Sequence, residues 1–71
     1  MPQLVYVLEL LRPGGVVRAH FAQTEGAARR AAGARHRLEG RWLAGPDREV
    51  VAQLWAGQTL VAQVRRETLD D

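Results

Sequence analysis

The sequence contains no cysteine, lysine, serine, asparagine or isoleucine, and its aromatic residues are two tryptophans, one tyrosine and one phenylalanine. Each absence closes a class of function. Without cysteine there is no disulfide to staple the fold and no thiolate to hold zinc, and the two histidines, His20 and His36, are too few to cage a metal. No metal or cofactor is expected. Without serine, cysteine or lysine, the remaining nucleophiles are Thr24, Thr59, Thr68, Tyr6 and the carboxylates. There is no glycine-rich loop of the GxxxxGK type, and the RPGG at 12–15 is turn chemistry. The chain is therefore read as non-catalytic, with no small-molecule substrate. No apolar run approaches the roughly 20 residues that a membrane span needs. The opening MPQLVYVLELLRPGG has no basic leader region and no small-residue cleavage site, so it is read as mature protein of cytoplasmic location.

What remains is a short chain of 71 residues. A domain of this size hides only about 60% of the surface its unfolded form exposes. Self-association is the usual remaining way to enlarge such a core. One domain is assigned to 1–67, with 68–71 (TLDD) as an acidic, frayed tail. All ten basic residues are arginine, and against eight acids they leave a net charge of +2. Alanine, arginine and glycine share GC-rich codons, which explains the arginines without a binding role. Any basic field must come from their arrangement.

The segment LVYVLELL (4–11) is rich in β-branched and aromatic residues, and VVRAHFAQ (16–23) alternates. With RPGG between them they predict a hairpin. Pairing Leu11 with Val16 places Leu8 opposite Ala19 and Tyr6 opposite Phe21 on one face, and Glu9 opposite Arg18 on the other. Thr24 is a good N-cap, Glu25 suits the positive end of a helix dipole, and Gly40 fits a left-handed stop. A helix over about 25–39 follows, with Ala27, Ala31, Ala34 and Leu38 on its core-facing stripe. RWLA (41–44) is a candidate short strand. REVVAQLW (48–55) and TLVAQVRRE (59–67) read as strands joined by a three-residue loop at 56–58, which pairs Leu54 with Leu60 and Ala52 with Ala62.

The expected fold is α+β: ββαββ, a four-stranded antiparallel sheet in the order 2-1-3-4, with one helix packed on one face. One helix covers one face only. The other carries Val5, Val7, Leu11, His20, Val51, Trp55 and Val61, too much apolar surface to stand idle in water. These seven residues are the candidate protein interface, and a homodimer or another protein is the expected partner. RWLA folding over this face is the competing reading. His20, expected across from Val7, is taken as an interface residue whose protonation would weaken association.

The alternative function rests on TEGAARRAAGARHRLEGR (24–41). Arg29, Arg30 and Arg37 fall on the exposed arc of the expected helix, where their guanidinium groups suit phosphate. This makes nucleic acid the alternative partner. No exposed aromatic is interleaved as a stacking platform, and a charged helix face is usually the wet side. The phrase FAQTEGAARRAA (21–32) resembles the passage from sheet to helix in the arm-type DNA-binding domains of tyrosine integrases. The resemblance covers that phrase alone: those domains place three strands before the helix, whereas two strands follow it here. The sequence thus reads as a small interaction module that self-associates or binds a protein through an open sheet face.

Overall fold

The structure, a computed structural model, describes residues 3–69. Its elements are β1 (Gln3–Arg12), β2 (Gly15–Ala22), α1 (Glu25–Ala34), β3 (Arg41–Ala44), β4 (Val50–Ala56) and β5 (Thr59–Leu69). The strands form one five-stranded sheet in the order β2-β1-β5-β4-β3, with every neighbouring pair antiparallel. The fold is α+β as expected, but with five strands and not four. RWLA does not fold over the sheet; it joins it as the edge strand β3.

The strand order also differs from the expected one. The last strand lies beside β1, because β5 at 11 residues matches the 10 residues of β1 and pairs with it from Gln3–Leu69 to Leu10–Ala62. The three strands after the helix then make a meander that starts at the far edge and works inward. Between β2 on one edge and β3 on the other, α1 crosses the sheet and packs on β1, β2 and β5. Strand β5 extends through Thr68 and Leu69, which the sequence placed in a frayed tail; the rest of that tail, 70–71, lies outside the described residues.

The core lies between sheet and helix. Leu8 and Leu10 of β1, Ala52 and Leu54 of β4, and Ala62 and Val64 of β5 meet Ala28, Ala31 and Ala32 of the helix. Three alanines at i, i+3, i+4 bring the helix backbone close to the sheet. Thr24 caps the helix as expected, its hydroxyl oxygen accepting from the Ala27 N–H at 3.1 Å. The helix stops at Ala34, short of the expected end. The residue in the left-handed region is Arg37 (φ 54°), and its N–H returns to the Gly33 carbonyl while the Leu38 N–H reaches that of Ala32. This reversal turns Leu38 onto the core. The buried stripe is accordingly 28, 31, 32, and Ala34 is exposed.

Gly40 has a different task. A Cβ there would overlap the Trp55 carbonyl, so glycine lets the chain enter β3 close against β4.

Three irregularities set the registers. The first falls at Ala19, where pairing shifts from Glu9–Arg18 to Leu8–His20, so that Tyr6 meets Ala22 and Val7 meets Phe21. The expected pairs Leu8–Ala19 and Tyr6–Phe21 are thereby replaced. The other two lie in the β4–β5 pair, at Val51 and at Val61. The turn joining these strands is the two-residue Gly57-Gln58, with Ala56 opposite Thr59, and not a three-residue loop. A two-residue turn alone would mix polar and apolar positions. The extra residue Val61 restores the phase, so Leu54 meets Ala62 and Ala52 meets Val64 on the core side.

Candidate functional site: the helix-free face of the sheet

Alternation along each strand defines the face away from α1. Across the sheet it presents the rows Phe21–Val7–Arg65–Val50, then Arg18–Glu9–Gln63–Gln53–Leu43, then Val16–Leu11 with Leu60–Trp55–Arg41. At its centre is a polar knot. The Glu9 carboxylate, only 6% exposed, accepts from Gln63 Nε2 at 2.8 Å and from Arg65 Nε at 3.2 Å. Arg65 also donates through Nη1 to Glu49 at 3.3 Å. These carboxylates, Glu9 first, hold the Arg65 guanidinium above its ordinary pKa, so it stays charged. Arg18, across from Glu9 as expected, sends its guanidinium elsewhere: it reaches over to Glu67 and lies 5.3 Å from the centre of the Phe21 ring.

Apolar side chains flank this knot toward both sheet edges, and Leu69 adds another at the far end of β5. Phe21 is 56% exposed, Val16 52%, Leu69 46% and Leu43 45%. Leu11 and Trp55 are half-buried between them. Near the β3–β4 corner, Arg41, Leu43, Trp55, Gly57 and Gln58 line a shallow groove of about 520 Å³. A second depression, of about 450 Å³, is walled by Arg48, Glu49, Arg65, Arg66, Glu67 and Thr68, three arginines against two glutamates.

The seven interface residues expected from the sequence divide among several places. Val5, Leu11 and Trp55 lie half-buried on the helix-free face. Val7 is there too, but it is wholly buried between Phe21 and Arg65 and offers no surface. Val51 and Val61 sit at the irregular positions and pack against the core. His20 is corrected: the extra residue at Ala19 puts it across from Leu8, on the helix side, and not across from Val7. Its proposed protonation effect on this face falls with that placement.

Phe21, Leu43 and Leu69 were missed by the sequence reading. An alternation that slips at Ala19 hides the first, and the other two lie in the candidate short strand (41–44) and the expected tail (68–71).

The arginines do not form one patch. Arg29 pairs with Glu25 one turn away and lies 5.4 Å from the centre of the Trp42 ring, clamping helix to edge strand. Arg30 is exposed on the helix, and Arg37 is exposed beyond its end. Among the described residues no group of three histidines or carboxylates is placed to hold a metal, and no helix is long and apolar enough to cross a membrane. No protein-family model matches the sequence, and no match to a curated protein or a solved structure is found.

Proposed function

We propose that this chain is a small non-catalytic interaction module that docks a protein surface on the helix-free face of its sheet. The observation that carries the reading is the placement of Phe21, Val16 and Leu43, all close to half exposed or more, around a polar centre that is already hydrogen-bonded within the chain. Apolar side chains around a satisfied centre suit a surface that is to be covered, because burying Glu9 further strands no charge.

The test is photo-crosslinking in cells from a reactive side chain at position 16 or 43, with position 30 on the helix as control. Protein adducts from 16 and 43 but not from 30 are expected. No adduct at either position would overturn the proposal, and a nucleic-acid adduct at 30 would favour the phosphate-contact alternative built on Arg29, Arg30 and Arg37.

A further inference from the structure

The helix-free face carries a projection and a recess at opposite corners. Phe21 stands on the edge strand β2, and the groove of Arg41, Leu43 and Trp55 lies across β3 and β4 at the other edge. Strand β5 is midway between them. A two-fold axis lying between two facing sheets and running obliquely along β5 exchanges the two edges. The Phe21 of each chain then stands over the groove of the other. From this geometry, and resting on the docking reading above, we infer that the occupant of the face is a second copy of this chain, with Phe21 of each protomer seated in the Arg41–Leu43–Trp55 groove of its partner.

Charge and area favour this occupant. The face bears Arg18, Arg41 and Arg65 against Glu9, Glu49 and Glu67, so a copy meets no net repulsion from itself. Arg18, Arg65 and their carboxylates are already paired within the chain, which leaves Arg41 at the groove rim. Its guanidinium would lie against the inserted ring from the partner, as Arg18 does from within the chain. Five strands about 4.8 Å apart, of 10, 8, 4, 7 and 11 residues, make a face of roughly 600–700 Å². That is close to the roughly 800 Å² per partner of a standard stable interface.

The experiment combines mass in solution with directed cross-linking. The native chain should sediment as a dimer. Phe21→Glu and Leu43→Glu should each weaken dimerisation by about tenfold or more, while Val17→Glu, exposed on the helix side, should leave it unchanged. Because the chain has no cysteine, a mixture of Phe21→Cys and Leu43→Cys proteins should form a disulfide-linked heterodimer under mild oxidation, in excess of either homodimer. This readout does not depend on a charged variant staying folded.

A native chain that is monomeric at every concentration, or a dimer untouched by Phe21→Glu and without the mixed cross-link, would overturn the inference. The photo-crosslinking separates the two failures. Adducts from 16 and 43 of a mass other than twice the chain would retain the docking face and replace its occupant.

Discussion

Replacing Glu9 by alanine tests the polar knot at the centre of the helix-free face. The carboxylate holds two donors. Gln63, at the limit of burial, loses its acceptor, and an orphaned buried amide costs about 1–3 kcal/mol. Arg65 loses its closest carboxylate but keeps Glu49 and is about a third exposed, so water replaces much of that bond and its share is about 1 kcal/mol or less. The sum is about 1–4 kcal/mol, centred near 2, a large fraction of the stability of so small a domain. In urea, with a slope near 1 kcal/mol per molar for a chain this short, the midpoint should fall by about 2 M. Tryptophan fluorescence follows the transition, since Trp42 and Trp55 lie on opposite faces of the sheet. A companion variant with Glu9→Leu, Gln63→Leu and Arg65→Met removes both sides of the knot and should recover most of the loss. A fall of less than about half a molar for Glu9→Ala would refute the reasoning, because it would mean that the donors find water where the structure buries them.

Other perturbations have equally definite outcomes. A Cβ on Gly45 would overlap the carbonyl of Val50, so Gly45→Ala should cost about 2 kcal/mol or more; an unchanged melting temperature would contradict that close approach. Trp42→Ala removes both an apolar seal on the core and the ring beneath Arg29, and should cost about 2 kcal/mol by circular dichroism, somewhat less than a fully buried aromatic. Asp47 accepts from the Glu49 and Val50 N–H groups, both at 2.8 Å, which lowers its pKa from the ordinary 3.8. Its contribution is therefore complete above the unfolded value and is lost as pH falls through the lower folded one. Asp47→Asn should flatten the dependence of melting temperature on pH below about 4, and parallel acid limbs for the two proteins would remove the assignment.

The hairpin of β1 and β2 was legible because RPGG fixes the turn: Leu11 meets Val16 and Glu9 meets Arg18 as the pattern requires. The start of α1 was legible from Thr24, whose hydroxyl oxygen has a local target. The end was not, since it depends on Leu38 finding the core from a left-handed Arg37, a contact at a distance that no cap residue announces. The irregular positions at Ala19, Val51 and Val61 are single-residue slips, and each moves the residues beyond it to the opposite face. That is why Phe21 and His20 exchanged sides relative to the alternation, while Leu54, Ala52, Ala62 and Val64 reached the core despite a different turn. The presence of an uncovered face was legible from one helix and too many strands. Its membership depended on those slips.

The pairing of β1 with β5 places the earliest and latest strands side by side in the interior of the sheet. In the sheet, β2–β1 and β4–β3 are each paired strands, and β5 alone fills the lane between them. No strand ladder joins the two halves until β5 pairs with both β1 and β4. Folding must wait on that insertion, so it should be slow for so short a chain. The open flank of the first strand is meanwhile the place where two nascent copies would join wrongly.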